Sequence, residues 1–140
     1  MLFLDEPTSG LDTTSSLAVM RIVSRLASVE GRTVITTIHQ PSSEIFELFQ
    51  RLILMANGRV AYEGEAKVGT SYFGTIGYAL PEHYNPADHF IRVLSLMDEK
   101  DTRTNADIEK ILDQWQQVQI DGPYKSHGSD EHNPVCAQIE

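Results

Sequence analysis

The hydrophobic and polar positions in the first part of the chain predict a strand, a helix and a second strand. Residues 1–4, "MLFL", form a short apolar run that ends at a turn, as in a strand buried on both faces of a parallel sheet. Residues 13–29 carry apolar side chains at helical spacing, with Asp12 or Thr13 as the N-cap. The β-branched run "TVITTI" over residues 33–38 predicts a second buried strand. This order and length favour a right-handed parallel crossover.

The next segment predicts a short helix and a β-hairpin. "PSSEIFELF" has the pattern of a helix capped by Ser42 or Ser43. An Asn-Gly dipeptide then separates the apolar runs 52–55 and 60–62, which is typical of a type I′ turn between antiparallel strands. The first sixty-odd residues therefore predict an α/β arrangement that ends in an antiparallel pair.

Shorter helices are predicted in the remainder of the chain. In "NPAD", Asn85 can cap a helix over residues 86–96, with proline at the first helical position. A polar linker follows over 97–105, and a last amphipathic helix places Trp115 on its apolar face. Residues 120–140 are polar and predict a disordered tail.

Composition narrows the possible functions. A length of 140 residues suits one domain, and a hydrophobic share of 41% permits a core. The formal charge of -9, with 11 scattered basic residues, argues against a general nucleic-acid surface. Cys136 is the single cysteine, so no intrachain disulfide can form. No apolar run is long enough to predict a transmembrane helix.

Three side chains that could bind a metal ion or act in catalysis follow the two predicted parallel strands. Asp5, Glu6 and His39 fall at the C-terminal ends of these strands, the edge where open α/β sheets bind ligands. One carboxylate there can hold Mg²⁺ while its neighbour orients a water for attack on a phosphate. The alternative is a solvated turn in which Asp5 and Asp12 only cap the backbone.

Longer motifs around these residues give a resemblance to a known family. "LFLDEPTSGLD" resembles the Walker B strand, catalytic glutamate and D-loop of ATP-binding cassette (ABC) ATPases, and "TVITTIHQPSSEIFELF" resembles their switch-histidine segment. "IHQPSSEIFELFQRLILMANGRVAYEGEA", "YFGTIGY" and "NPADHF" are similar to the G subfamily in particular. The resemblance implies an α/β fold: a partial P-loop NTPase nucleotide-binding domain with parallel strands, a terminal β-hairpin and a helical C-terminal extension. The nucleotide-binding part would span residues 1–66 and the extension 67–119.

The same resemblance implies a role for each matching residue. Asp5 would hold Mg²⁺ through a water, Glu6 would act as the general base for ATP hydrolysis, and His39, followed by Gln40, would contact the γ-phosphate. The D-loop would contact a second nucleotide-binding domain and consist of Ser9, Gly10, Leu11 and Asp12. The cofactors implied are therefore ATP and Mg²⁺.

Two further motifs of such ATPases do not occur in the 140 residues. These are the phosphate loop G-x-x-x-x-G-K-[ST] and the signature L-S-G-G. We therefore expect a fragment that is inactive alone and works with the transmembrane domain of a parent transporter. It would be membrane-associated through that parent, on the cytoplasmic side, in export of lipids, sterols or other hydrophobic compounds.

Two alternatives remain open at this stage. A truncated, non-catalytic module could pair with an intact nucleotide-binding domain. A soluble ABC protein of the translation-factor type would resemble D-E-P-T-N-H-L-D and S-H-D-R, whereas this chain has "DEPTSGLD" and "IHQP".

Overall fold

The computed structural model describes residues 1–95, 104–121 and 135–139. In these ranges the strands are β1 (Leu2–Asp5), β2 (Val34–Ile38), β3 (Arg51–Ala56), β4 (Arg59–Glu65) and β5 (Val135–Ile139). The helices are α1 (Thr13–Ser28), α2 (Ser43–Phe46), α3 (Ala66–Thr75), α4 (Pro86–Leu94) and α5 (Asn105–Asp121). The strands form one sheet in the order β1-β2-β5-β3-β4.

The predicted strand-helix-strand unit at the start of the chain is confirmed. β1 and β2 are parallel neighbours, with Asp5 opposite Thr37, and α1 connects them. Asp12 is the N-cap of α1, because its carboxylate accepts the backbone N–H groups of Thr14 and Ser15, each at 3.0 Å. The parallel pairing brings the C-terminal ends of both strands to one edge of the sheet.

The predicted hairpin is also confirmed. β3 and β4 are antiparallel, with Ala56 opposite Arg59 across the turn. Asn57 and Gly58 both have positive φ, 51° and 72°, as a type I′ turn requires. A local backbone preference therefore determines where the chain reverses.

Strand β1 differs from its prediction as a strand buried on both faces. Phe3 is 68% exposed and Leu2 37% exposed, because β1 lies at the edge of the sheet and pairs only with β2 among the described residues. An apolar run indicates that a strand has side chains to bury, but it does not identify the segment that packs against them.

The predicted disordered tail is corrected in two places. Helix α5 continues through Asp121, and Val135–Ile139 forms β5, which pairs in parallel with β2 on one side and β3 on the other. These partners are remote in sequence, so the local polar composition did not reveal the strand. The predicted linker residues 97–103, Leu96 and the tail residues 122–134 and 140 lie outside the described residues.

Aromatic side chains link the helices to the sheet. Trp115, from α5, is 1% exposed and packs against Tyr62 and Tyr72, with ring centroids 4.9 and 5.1 Å apart. Phe73 of α3 continues the contacts to Phe90 of α4 at 5.0 Å. The predicted core position of Trp115 is confirmed, and these contacts attach the C-terminal helices to β4.

Candidate functional site

The carboxyl ends of β1 and β2 carry the side chains that the sequence singled out. Asp5 is the last residue of β1 and Glu6 follows it, while His39 follows the last residue of β2. All three side chains are exposed. Parallel pairing thus places two carboxylates and an imidazole at one accessible edge of the sheet.

A hydroxyl that the sequence analysis missed connects the two acids. Thr37 Oγ1 donates to Asp5 Oδ1 at 2.5 Å and accepts the backbone N–H of Glu6 at 2.9 Å. The "TVITTI" run predicts a strand and forms part of the segment that resembles the switch histidine, but neither pattern assigns a role to Thr37. The signal that could have identified Thr37 is the parallel register, which sets it directly opposite Asp5.

The backbone turns sharply after each of the two strands. Glu6 has φ of 42° and Gln40 has φ of 46°, a left-handed conformation that costs energy in residues with a Cβ. Such conformations concentrate at functional sites, where the surrounding structure holds them. Here they redirect the chain immediately beyond Asp5 and His39.

The segment between Glu6 and α1 consists of consecutive turns. The Ser9 N–H donates to the Glu6 carbonyl at 3.0 Å, and the Leu11 N–H donates to the Thr8 carbonyl at 3.2 Å. Gly10 has φ of 74°, which glycine adopts without steric cost. Ser9, Gly10 and Leu11 are exposed, so they remain available for contact with another surface.

Asp12 ends this segment and has a structural role in the chain. Besides the two backbone bonds, its second oxygen accepts the Ser15 hydroxyl at 2.8 Å. The backbone N–H and hydroxyl of Ser15, followed by the Thr14 N–H, lower the pKa of Asp12 by stabilising its charged form. Asp12 therefore stays ionised as the cap of α1.

A polar cavity of about 370 Å³ lies beside His39. Its lining comes from the turn segment, the first turn of α1, residues 39–42 and the beginning of α4. Asn85 connects two of these walls, because its amide donates to the Pro41 carbonyl at 2.9 Å while its oxygen accepts the Ala87 N–H at 2.9 Å. The predicted cap of "NPAD" is thus confirmed, and the same side chain anchors the loop that follows His39.

The acids at the sheet edge offer limited ligation for a cation. Among the described residues no group of three or more His, Cys, Asp or Glu side chains is arranged to hold a metal ion. The Thr37 hydroxyl donates to Oδ1 of the exposed Asp5, so Oδ2 is the oxygen through which Asp5 would hold a metal-bound water. A hydrated Mg²⁺, which keeps several waters and needs few carboxylates, is compatible with this donor set.

Comparison with protein families identifies the group to which this chain is related. The family described as "ABC-2 type transporter" matches residues 39–123, more than half of the chain. The chain belongs to the ABC-2 type transporter family. This finding overturns the fold class expected from sequence, because the matching family is that of the ABC-2 membrane domain, not of a P-loop NTPase nucleotide-binding domain.

The physical reason for that error lies in the motifs used. A carboxylate pair after a strand and a histidine after its neighbour describe an edge of a sheet, and they do not define a complete fold. The phosphate loop that would define a P-loop fold does not occur in the sequence. Asp5, Glu6 and the turn segment precede the residues matched to the family.

Relatives support the G subfamily of these transporters. Protein white of Drosophila melanogaster is 44% identical over 115 residues, covering 82% of this chain and 17% of white. ABC transporter G family member 13 of Arabidopsis thaliana is 48% identical over 95 residues, covering 68% and 14%. ABC transporter G family member 1 of Petunia hybrida is 37% identical over 139 residues, covering 99% and 21%.

This ABC-2 type transporter chain spans about a fifth or less of the length of these relatives. No helix in the part of the chain that the structure describes combines the length and the apolar character needed to cross a bilayer. The alignments match this chain to one segment of each of these relatives.

Proposed function

We propose that this chain contributes catalytic residues to ATP hydrolysis in a G-type membrane transporter. The observation that carries the proposal is the sheet edge where Thr37 links Asp5 and Glu6 and where His39 follows the neighbouring strand. The region matched to ABC-2 transporters begins at His39, so this edge adjoins it directly. We infer that the chain lies where the reaction with ATP meets the transport machinery, on the cytoplasmic side.

Each side chain at the edge has a distinct chemical task in this proposal. The Glu6 carboxylate orients the attacking water and accepts its proton, and the His39 imidazole donates a hydrogen bond to a γ-phosphate oxygen. Gln40 provides a polar side chain next to His39. Asp5 would hold a hydrated Mg²⁺ through one of its waters, and that ion would offset phosphate charge.

The turn segment suits contact with a second half of the transporter. Ser9, Gly10 and Leu11 are exposed, and Leu11 is a large apolar side chain with 44% exposure. Asp12 fixes the end of the segment to α1. We propose that this surface pairs with a second copy or a related half, and that the transported compounds are lipids, sterols or other hydrophobic molecules.

The proposal is tested with Glu6→Gln in the complete transporter. Removal of a positioned general base typically costs about 10²- to 10⁴-fold in rate, so phosphate release should fall by that factor while ATP binding is retained. Glu30→Gln is the matched control, because Glu30 is an exposed acid near the opposite end of α1. Unchanged phosphate release in Glu6→Gln would remove Glu6 from the reaction.

A further inference from the structure

We propose that Thr37 is a positioning residue that sets the relative geometry of Asp5 and Glu6 for ATP hydrolysis. This inference rests on the proposed function of those two acids. It assigns to one hydroxyl group on β2 the task of holding two groups on the end of β1.

The geometry of the contact begins with the register of the sheet. Asp5 and Thr37 are direct partners in the parallel pair, so their side chains project from the same face at adjacent positions. The Thr37 hydroxyl donates its single proton to Asp5 Oδ1 at 2.5 Å and uses a lone pair to accept the Glu6 N–H at 2.9 Å. An ionised carboxylate is only an acceptor, so the direction of both bonds is determined when Asp5 is charged.

The second of these bonds supports a strained backbone. Glu6 is held at φ of 42°, which is unfavourable for a residue with a Cβ. The Thr37 hydroxyl binds the amide of that same residue and so stabilises the turn that directs the Glu6 side chain. Without this bond, the carboxylate can move relative to Asp5 although both acids are still present.

Thr37 is well placed to act as a fixed reference point. It lies on β2, which pairs with β1 on one side and β5 on the other, and its branched side chain has restricted χ1 freedom. Thr36, the preceding residue, faces the opposite side of the sheet and is fully buried, and its hydroxyl donates to the Thr37 carbonyl at 3.3 Å. The two threonines thus differ in what their hydroxyls touch, which makes them a matched pair for mutation.

The test uses the complete transporter with Thr37→Val, Thr37→Ser and Thr36→Val. Loss of a residue that orients a ligating or catalytic group typically costs about 10- to 100-fold. We therefore expect Thr37→Val to lower kcat by that factor, with little change in the KM for ATP, and to raise the Mg²⁺ concentration needed for half-maximal rate. Thr37→Ser should restore most of kcat, and Thr36→Val should leave kcat and the Mg²⁺ dependence unchanged.

The outcomes separate this inference from the function on which it rests. If Glu6→Gln abolishes hydrolysis but Thr37→Val matches the wild type, the positioning role is wrong and the proposed function stands. Equal losses in Thr37→Ser and Thr37→Val would also overturn it, because the hydroxyl would not be the cause. Unchanged hydrolysis in Glu6→Gln would instead reject the proposed function. Equal melting temperatures for the Thr37 and Thr36 variants would exclude general unfolding as the source of a loss.

Discussion

At the residue scale, the absence of a Cβ at Gly64 leaves the space that the side chain of Tyr62 occupies. Gly64 and Tyr62 are two residues apart on β4 and therefore face the same side of the sheet. A Cβ at Gly64 would lie 2.7 Å from Tyr62 Oη and 3.1 Å from Cζ. The ring cannot move easily, because it is 1% exposed, packs against Trp115 and donates its hydroxyl to the Glu65 carbonyl at 2.8 Å.

We predict that Gly64→Ala destabilises the fold by about 1–3 kcal/mol, the usual cost of overpacking a core. Denaturant unfolding of the purified chain measures this change. Gly74→Ala is the control, because a Cβ there would lie 4.0 Å from the Cα of Ala79, an ordinary van der Waals contact, and the residue lies in helix α3. That substitution should be neutral or stabilising by up to about 1 kcal/mol. Equal effects at both glycines would contradict the steric argument.

In the candidate site, too, the arrangement of the side chains depends on a single atom, the hydroxyl oxygen of Thr37. Its acids and histidine could be chosen from sequence, because strand-like runs end directly before them. Thr37 could not, since its role depends on a hydrogen bond to a residue 32 positions away. Residue type thus indicated which side chains could act chemically. The pairing of β1 with β2 identified the Thr37 hydroxyl as the group that binds Asp5 and the backbone of Glu6.

At the element scale, a cap stabilises the beginning of helix α5, and ion pairs connect the helix to β4. Thr104 and Asp107 form a capping arrangement, in which Asp107 Oδ2 accepts the N–H and the hydroxyl of Thr104 at 2.9 and 3.0 Å. Farther along, Arg59 of β4 contacts Glu109 and Asp113, each at 2.8 Å. Both the charged contacts of Arg59 and the packing of Trp115 on Tyr62 therefore join α5 to β4 of the hairpin.

The cap makes the beginning of α5 sensitive to acid. The ammonium of Lys110, 2.9 Å from Asp107 Oδ1, and then the N–H of Thr104 lower the pKa of Asp107 from 3.8 to about 2. Because the folded pKa is depressed, this stabilisation is present above about pH 4 and is lost as the pH falls toward 2.

We predict that Asp107→Asn removes this part of the acid sensitivity of α5. Amide hydrogen exchange in the first turn of α5, followed between about pH 4 and pH 2, measures the effect.

Lys110→Gln should move the Asp107 pKa back toward 3.8, as read by NMR titration of the carboxyl group. An Asp107 pKa that is the same with and without Lys110 would refute the assigned cause.

At the scale of the whole molecule, the β1 edge of the sheet carries exposed apolar side chains. Among the described residues β1 is an edge strand, and its Phe3 is 68% exposed, while Met1, which precedes the strand, is 73% exposed. Edge strands with exposed backbone groups and apolar side chains pair readily with other chains. We therefore expect the isolated chain to associate with itself through this edge.

We predict that Phe3→Lys reduces self-association of the isolated chain, because a charge on an edge strand opposes pairing. Size-exclusion chromatography with light scattering, over a concentration series, measures the change. Ile22→Lys is the matched control, since Ile22 has a similar exposure of 62% but lies on α1. A wild-type chain that is monomeric throughout the series would contradict the role of this edge.

The sequence by itself determined the features that depend on neighbouring residues. The beginning of α1 at its Asp12 cap, the hairpin at Asn57 and Gly58 and the cap of α4 at Asn85 were all readable, because a few adjacent groups decide these backbone conformations. The parallel crossover was readable as well, since few topologies suit a strand-helix-strand pattern.

Only the tertiary structure decided what depends on remote segments. It placed Val135–Ile139 between β2 and β3, left β1 at an exposed edge, and joined Asp5, Glu6 and Thr37 through one hydroxyl. Motifs at a sheet edge likewise suggested a fold class that the family comparison overturned. The physical reason is that strand pairing depends on contacts between segments far apart in the chain, which a local sequence pattern does not specify.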